Sequence, residues 1–396
     1  MTRWTRRLVM GFLLASLAGW LGRKNQANRP GNSRPKEAGP ASSASGRERG
    51  AARKRPVPLP ARSGEAPTAA LPRGLSADSP WASREACLAR VRAGARLARR
   101  PDRARLVAWN IRWFPDGGPG KSASEHPTDI EWLACALAYL NADAFALEEV
   151  KAYPRAQQKL DEVRTRLDQL SGGSHRARLD DCQPVAAQHV GLLWNEKRVK
   201  AQDFEVFGAL NPLDGPCQNQ LRPGLGARFR FPHGLDLELI AVHLKSGGEP
   251  RSQELRERSL ARLPSVLEAV RRRHQDDDLV VLGDFNTMGC DGCAPPVSGE
   301  AERQAVAARL ARAPTPFSLL PTKPACSQYY SGKAGLLDLV VAPSAMRELG
   351  PAPLVTPSGL CGELECGSLP HSAPAAVRDL SDHCPIVIDL LDQDLD

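Results

Sequence analysis

The chain has 396 residues, ten cysteines, a formal net charge of +8 and only 5% aromatic residues. A chain of this length can hold two domains or one large α/β domain with tails. Residues 1–80 carry fifteen Lys and Arg against four Asp and Glu, so the remainder of the chain has a net charge of −3. The positive charge thus belongs to the N-terminal region, which weakens any argument from the net charge to nucleic-acid binding by the folded domain.

The first residues have the layout of a secretory signal peptide. Three arginines precede the apolar run Leu8–Leu14, and small residues at 16 and 18 offer a cleavage site. An uncleaved membrane anchor is the alternative, although the apolar stretch from 8 to 21 is short for a spanning helix. We predict a signal peptide at 1–18 and a protein that is secreted or periplasmic.

Three further regions follow the predicted signal peptide. Residues 19–80 are rich in Pro, Ala, Gly and Arg without an apolar period, which predicts a disordered basic linker. Residues 81–104 are typical of an amphipathic lead-in helix capped by Ser83. We expect one domain over 105–396.

Within this domain, apolar runs typical of buried strands alternate with helical patterns. The strand-like runs lie at 106–111, 144–150, 190–194, 237–244, 279–282, 336–341 and 384–388. The helical patterns lie at 128–140, 155–170 and 252–274, and a polar, cysteine-bearing region extends to 223. This order predicts an α/β domain.

The run at 279–282 ends in a pair of polar residues. Alternation places the side chains of Asp284 and Asn286 on one side of the strand, while Phe285 turns into the core. The pair offers a base or metal ligand beside a neutral amide that can hold an oxyanion. An ordinary turn at the strand end explains the same residues equally well.

Other expected strands also end in polar residues that have ordinary explanations one by one. Asn110 can form a turn, Glu149 can be a solvated acid, and His243 can be a satisfied core histidine. Asp338 differs, because a carboxylate among aliphatic residues needs a partner. Their joint occurrence at strand ends points to a shared site.

Six short motifs, in this order, resemble those of the endonuclease/exonuclease/phosphatase superfamily. The motifs are WNIR at 109–112, LEEV at 147–150, VHLKS at 242–246, GDFN at 283–286, LDLV at 337–340 and SDHCPI at 381–386. The resemblance spans about 105–391. It implies a two-layer β-sandwich flanked by helices, the deoxyribonuclease-like four-layer fold, which cleaves phosphoester bonds with a divalent cation.

The resemblance implies that Glu149 is the principal metal ligand, with Asn110 and Asp382 close by. Hard oxygen ligands of this kind suit Mg²⁺ or Mn²⁺, and a structural Ca²⁺ ion is a further option. The chain departs from the family at Glu148, where a Gln is usual. This additional acid either raises the cation affinity or points into solvent.

The same resemblance implies the catalytic roles. Asp284 would orient or deprotonate the attacking water, and Asn286 would hold a phosphate oxygen. His383 would lie against the phosphate, with its tautomer set by Asp338. His243 would donate to a non-bridging oxygen or assist the leaving group.

The cysteines suggest disulfides, since their number is even and the chain is predicted to be exported. By similarity to pancreatic-type deoxyribonucleases, we expect Cys326 to pair with Cys290 or Cys293, and Cys361 to pair with Cys366. A zinc site formed by the other four of these cysteines is the alternative.

Together these features predict an exported divalent-metal-dependent phosphodiesterase, with a nuclease as the first choice. His243, Lys245 and Lys151 resemble the deoxyribonuclease-like branch, in which both lysines would contact the substrate, and the basic linker could follow a polyanion. The alternatives are a sphingomyelinase-like phospholipase C or other phosphoesterase, against which the low aromatic content counts, and a non-catalytic binding module. We expect a monomer with nucleic acid as substrate and no stable membrane insertion after signal removal.

Overall fold

The computed structural model describes residues 71–119, 124, 126–182, 188–213, 221–370 and 373–396. These residues belong to one compact unit, Glu65–Asp396. The predicted signal peptide at 1–18 and the linker up to residue 70 lie outside the described residues. Within the described ranges, no helix has both the length and the apolar character needed to cross a membrane.

The elements form an α/β pattern. The helices are α1 Arg84–Arg92, α2 Ile130–Leu140, α3 Pro154–Ser171, α4 Pro250–His274, α5 Gly299–Ala311, α6 Gly359–Glu363 and α7 Ala375–Asp379. The first eight strands are β1 Arg103–Phe114, β2 Ala144–Val150, β3 His175–Leu179, β4 His189–Asn195, β5 Lys200–Phe207, β6 Gly224–Arg230, β7 Asp236–His243 and β8 Leu279–Asp284. The remaining strands are β9 Gly289–Cys290, β10 Val297–Ser298, β11 Phe317–Leu319, β12 Gln328–Tyr330, β13 Lys333–Gly335, β14 Asp338–Pro343, β15 Thr356–Pro357 and β16 Ile386–Leu391.

Two six-stranded mixed sheets form the centre of the domain. Sheet 1 has the strand order β15-β16-β1-β2-β4-β3, and sheet 2 has the order β11-β14-β8-β7-β6-β5. Parallel pairing joins β1 to β2 and β7 to β8, and the described neighbours of these pairs are antiparallel. The two short pairs β9–β10 and β12–β13 lie outside the sheets.

Three apolar clusters stack these elements into four layers. Leu106 and Val280 belong to the cluster between the inner faces of the two sheets. On the outer face of sheet 1, Trp109 packs with α1, α2 and α3. On the outer face of sheet 2, Ile240 packs with Leu267 of α4 and with α5. The predicted helix-flanked β-sandwich is therefore confirmed.

The segment before β1 packs on the outer layer. Leu75 and Trp81 are buried, and the Trp81 ring meets Trp109 edge to face with 5.9 Å between the ring centroids. The Ser83 hydroxyl accepts a hydrogen bond from the amide of Ala86, so α1 begins at the predicted cap. The described chain is thus anchored to the domain from the vicinity of residue 75 onward.

The disulfides differ from the expected pairing. They are Cys87–Cys135, Cys290–Cys293, Cys326–Cys366 and Cys361–Cys384. The expectation that Cys326 pairs with Cys290 or Cys293 is wrong, because the loop after β8 turns back through β9–β10 and pairs those two cysteines with each other. The expectation that Cys361 pairs with Cys366 is also wrong, since Cys361 meets the cysteine that precedes β16.

The alternative of a zinc site is also wrong, because the cysteines that would form it are disulfide-bonded. Cys182 is disulfide-bonded as well, and no cysteine in the described part of the chain is free. Bonded sulfurs are not thiolate ligands, so Cys290 and Cys293 cannot form a zinc site with Cys361 and Cys366 in this state.

Candidate active site

Sheet 2 contributes a row of three polar residues where its central strands end. The register pairs His243 of β7 with Asp284 of β8, and Asp284 with Asp338 of β14. All three side chains are buried, with exposed fractions of 2% or less. Hydrogen bonding between the strands thus determines which polar residues become neighbours, although they are distant in sequence.

Sheet 1 brings a second set of residues against this row. Asn110 of β1 lies opposite Glu148 of β2 in the register, and both are buried. The Asn110 amide donates to Asp284 Oδ2 across 3.1 Å, which links the two sheets. The site is therefore built where the inner faces of the sandwich meet.

Irregular strand pairing gives the side chain of Glu149 a different direction from that of Glu148. The pairing of β2 with β1 and with β4 shifts register near Glu149, whose φ is 62°. Glu149 Oε2 accepts a hydrogen bond of 3.0 Å from the amide of Trp113, and Oε1 lies 3.8 Å from Nε2 of His243. A local bulge of this kind re-aims a side chain at a strand end, and here it turns a carboxylate toward the site.

Both histidines approach the same carboxylate oxygen of Asp284. Nε2 of His243 is 3.5 Å and Nε2 of His383 is 3.9 Å from Asp284 Oδ2. On its other side, Nδ1 of His383 is 2.8 Å from Asp338 Oδ2. The Asp338 carboxylate therefore selects the tautomer of His383 that carries a proton on Nδ1.

Their surroundings drive the two imidazoles in opposite directions. Burial opposes protonation of His383, but the carboxylates of Asp338 and Asp284 outweigh it and raise its pKa well above the usual value. Burial and the nearby Arg222 lower the pKa of His243 well below the usual value. Burial also raises the pKa of Asp284 to about 7. The site therefore combines a cationic imidazole, a neutral imidazole and a carboxyl group that titrates near neutral pH.

Glu148 does not point into solvent, so that alternative is wrong. Its side chain is fully buried, and neither carboxylate oxygen has a hydrogen-bond partner among the described residues. It lies against Gly283, where an added Cβ would come within 2.9 Å of Glu148 Oε1 and 2.1 Å of the Val242 carbonyl. Burial, followed by the charges of Asp338 and Asp284, raises the pKa of Glu148 well above the usual value.

Arg222 is a buried cation that the sequence analysis missed. Its guanidinium donates to the carbonyls of His243 and Leu244 over 3.1 Å and 2.7 Å, and to Gln188 Oε1 over 3.3 Å. These bonds hold the end of β7, which carries His243. The residue lies in a polar region without periodicity, so no sequence pattern could single it out.

Arg256 is a second residue that the sequence analysis missed, and it binds the loops that follow β7 and β8. It forms a fully buried ion pair with Glu302, with 2.7 Å between Nε and Oε1. Its other donors bind the carbonyls of Lys245, Gly247 and Gly289. The loop after β7 and the loop after β8 are thereby tied to one guanidinium.

The remaining predicted residues occupy different positions. The Asn286 amide donates to the Leu244 carbonyl over 3.2 Å, which places it beside the end of β7. Asp382 is half-buried next to His383, and its carbonyl accepts from the amide of Tyr329 over 2.7 Å. Lys245 is half-buried on the loop after β7.

Lys151 was predicted to contact the substrate, but the structure places it inside the protein. Its ammonium pairs with Asp116 Oδ2 over 2.9 Å and donates to the Gly118 carbonyl over 2.6 Å. Only 4% of the residue is exposed. Lys151 therefore supports the loop after β1 and is not presented to a ligand.

The carboxylate oxygens at the site suit a hard divalent cation, whereas His383 in its protonated form does not offer a ligand nitrogen. Asp284, Asp338 and His383 offer ligand atoms that lie within 4.8 Å of one another. Glu149 and Asp382, the ligands predicted from the sequence, are not members of that trio. Unpartnered buried oxygens remain on Asp338 and Glu148, as expected where carboxylates face a position for an ion.

Comparison with known proteins gives similarity in structure alone. No protein-family model and no curated protein matches the sequence. TDP2 of D. rerio, complexed with a single-strand DNA product, is 18% identical, with 73% of this chain and 98% of that chain covered and a TM-score of 0.44. An endonuclease/exonuclease/phosphatase of Bacteroides vulgatus is 15% identical, with 73% and 98% covered and a TM-score of 0.46. A mannosyl-6-phosphatase of Bacteroides thetaiotaomicron is 12% identical, with 72% and 99% covered and a TM-score of 0.46. These likenesses assign no activity to this chain.

Proposed function

We propose that the chain is an exported, divalent-metal-dependent phosphodiesterase of the endonuclease/exonuclease/phosphatase superfamily and that it hydrolyses nucleic acid. The observation that carries this proposal is that Nε2 of His243 and Nε2 of His383 lie 3.5 Å and 3.9 Å from Asp284 Oδ2. A carboxylate close to one neutral and one protonated imidazole suits hydrolysis at phosphorus. Such a reaction needs a base for water and positive charge on the phosphate oxygens.

In the proposed reaction, the surroundings of each residue determine its role. Asp284 accepts the proton of the attacking water, for which a pKa of about 7 is favourable at neutral pH. His383, protonated and held by Asp338, binds a non-bridging oxygen of the phosphate. The neutral His243 also lies beside Asp284 and donates to the same phosphate. Asn286 uses one amide hydrogen for the Leu244 carbonyl and keeps the second for a phosphate oxygen.

Glu149, Asn110 and Asp382 would hold a Mg²⁺ or Mn²⁺ ion. When bound, the ion neutralises charge that develops on the phosphate and lowers the pKa of bound water. Glu149 is already directed toward the site by its hydrogen bond from the amide of Trp113. Its side chain keeps an exposed fraction of 16%, so an ion can reach it from solvent.

Two features favour nucleic acid as the substrate. Tyr330 is 74% exposed on the β12–β13 hairpin, next to the residue whose amide bonds the Asp382 carbonyl. An exposed aromatic ring beside the site suits stacking on a base. The basic N-terminal region adds attraction for a polyanion that does not depend on sequence.

Export is proposed from the signal-like N-terminus and from the disulfides. The four disulfides named above and the bonded Cys182 fit an oxidising compartment. Detection of the mature protein outside the cytoplasm, with its N-terminus near residue 19, is the expected result. A cytoplasmic protein with an intact N-terminus would contradict it.

A panel of phosphoester substrates tests the proposed activity. Supercoiled plasmid, single-stranded DNA, RNA, sphingomyelin and a sugar phosphate are incubated with the full chain in Mg²⁺ or Mn²⁺, with and without excess EDTA. We expect cleavage of nucleic acid that EDTA abolishes. Choline release without nicking would assign the chain to the phospholipases, and phosphate release alone would assign it to the phosphomonoesterases. Binding of nucleic acid without turnover on any substrate would make it a binding module.

A further inference from the structure

A second group of acids lies at the far end of sheet 2 from the catalytic residues. We call it the distal acidic cluster, and its members are Asp236, Asp276, Asp278, Glu348, Asp394 and Asp396. Asp278 immediately precedes β8, whereas Asp284 ends it. Six residues of extended strand separate the two by roughly 20 Å. The cluster is therefore distinct from the site that contains His243 and His383.

Asp278 lies at the centre of the distal acidic cluster. Its carboxylate comes within 4.8 Å of those of Asp236 and Asp276 and, in a second trio, of those of Asp394 and Asp396. Glu348 is also buried there, with 1% exposed, and its carboxylate accepts a hydrogen bond of 2.9 Å from the amide of Leu395. Four segments that are distant in sequence thus deliver carboxylates to one place.

A second observation concerns the Asp278 side chain itself. The residue is 3% exposed, yet neither carboxylate oxygen accepts from an N–H or hydroxyl donor among the described residues, and its side-chain neighbour is another acid, Glu348. Its backbone is fully used, because its amide donates to Asp276 Oδ1 over 2.8 Å and its carbonyl accepts from the amide of Glu238 over 2.9 Å. A buried carboxylate held in place by its backbone, with both oxygens directed at other acids, requires a cation or a proton.

The basic residues nearby compensate only part of this charge. Arg228 bridges Asp236 and Asp276 over 2.6 Å and 3.1 Å, and Arg230 lies 4.0 Å from Asp236. Neither guanidinium pairs with Asp278. Burial, followed by the hydrogen bond and the charge of Glu348, raises the pKa of Asp278 to about 10. Asp278, Asp394 and Asp396 thus have no basic ion-pair partner among the residues described, so Asp278 is ionised only if a cation binds there.

We propose that the distal acidic cluster is a Ca²⁺ site, with Asp278 as its central ligand and Asp394 and Asp396 as the ligands that close it. The donors are all carboxylate oxygens contributed by separate segments. Ca²⁺ accepts six to eight such oxygens in flexible geometry, whereas Mg²⁺ requires a near-ideal octahedron and retains several waters. The ion joins the chain segment after β16 to the start of β8. This role is structural and does not depend on the proposed hydrolytic activity.

Thermal unfolding of the full chain tests the proposal. The protein is stripped with EDTA, dialysed, and unfolded over a series of Ca²⁺ concentrations and, separately, of Mg²⁺ concentrations. We expect Ca²⁺ to raise Tm by several degrees in a concentration-dependent way, because an ion that binds only the folded state stabilises it. Mg²⁺ is expected to raise Tm less. The absence of a Ca²⁺-dependent rise would overturn the proposal and leave Asp278 and Glu348 sharing a proton.

Variants locate the ion. Asp278→Asn is expected to fold, since it removes an uncompensated buried charge, and to abolish the rise in Tm. Asp394→Asn changes an exposed position and should weaken the apparent Ca²⁺ affinity by roughly tenfold or more. Asp161→Asn, an exposed acid on α3, should keep the full rise. Glu149→Gln removes any part of the rise that an ion at the catalytic site contributes, and the rise due to the distal acidic cluster should remain in it. A rise that persists unchanged in Asp278→Asn would place the ion elsewhere and refute this site.

Discussion

Glu148 is a buried acid of the candidate active site, and its neighbours do not neutralise a negative charge on it. It is buried beside Asp284 and Asp338, and the structure gives its carboxylate no hydrogen-bond donor among the residues described. The resemblance could identify this position as unusual, but it could not decide between burial and exposure. The decision comes from the register, which places Glu148 opposite Asn110 on the inner face of sheet 1.

The substitution Glu148→Gln should stabilise the protein in a pH-dependent way. A group whose pKa is higher in the folded state favours folding below its unfolded pKa, and this contribution is lost as pH rises through the folded pKa. Glu148 has a raised pKa, so the wild type should lose stability relative to the variant as pH rises above about 4.5. Urea unfolding in EDTA should show the variant more stable by about 1–3 kcal/mol at pH 8 and by much less at pH 5.

Asp161→Asn is the matched control for this experiment, because it removes an exposed carboxylate that pairs only with Arg164 among the described residues. Its stability should follow that of the wild type at both pH values. A wild type that is as stable as Glu148→Gln at pH 8 would show that the Glu148 carboxyl finds a partner in solution.

At the scale of elements, most buried strands followed from the sequence, whereas the edge strands and the inner strand β6 did not. The run at 144–150 became β2 with the same bounds, because five of its seven residues are apolar and all except Glu149 are buried. The edge strand β5 was missed: half its residues are polar, and the irregularity at Asp203, with a φ of 54°, interrupts the alternation. Pairing of the cysteines also escaped prediction, since it depends on which loops meet in space.

The β12–β13 hairpin is another element that the sequence analysis missed, and it contributes to the candidate active site. Cys326 and Ser327 anchor its base, through the disulfide to Cys366 and through a hydroxyl that accepts from the amides of Leu337 and Asp338. Its outer residue, Tyr330, is exposed beside the candidate active site. The hairpin therefore joins the position of Asp338 to a surface that a substrate can contact.

Replacing Tyr330 by Ala should weaken substrate binding without affecting the chemical step. Stacking of a base on an aromatic side chain contributes about 1–3 kcal/mol, so KM for single-stranded DNA should rise roughly tenfold while kcat stays near the wild-type value. Tyr330→Phe keeps the ring and should behave as wild type. Steady-state kinetics on a short oligonucleotide measures both constants, and an unchanged KM in Tyr330→Ala would exclude the ring from the substrate path.

At the scale of the whole molecule, charge and catalysis are separated along the chain. The basic excess lies in residues 1–80, while residues 81–396 carry a net −3. Leu75 and Trp81 pack in the core, so a deletion in the N-terminal region has to end before residue 75 to leave the core covered. The composition was sufficient to predict that the basic charge lies outside the folded domain. The residue at which the packed chain begins could be found only in the structure.

Deleting residues 19–70 should reduce the salt dependence of nucleic-acid binding and leave the hydrolytic step unchanged. The deletion removes eleven basic residues against three acidic ones, and released counterions set the slope of affinity against salt. Binding of a non-cleavable oligonucleotide between about 50 and 200 mM salt gives the slope, and single-turnover cleavage gives the rate. The same slope in both proteins would reduce the segment to a spacer.

The central claim is that the site cleaves phosphodiesters with a cation held by Glu149, and the Mg²⁺ dependence of plasmid nicking by wild type and Glu149→Gln tests it most directly. The substitution keeps an oxygen to accept the hydrogen bond from the amide of Trp113, so the variant should fold normally. Loss of a charged ligand should lower the rate at limiting Mg²⁺ by at least about 100-fold, with partial recovery at high Mg²⁺. A variant that nicks plasmid at the wild-type rate in limiting Mg²⁺ would contradict the account.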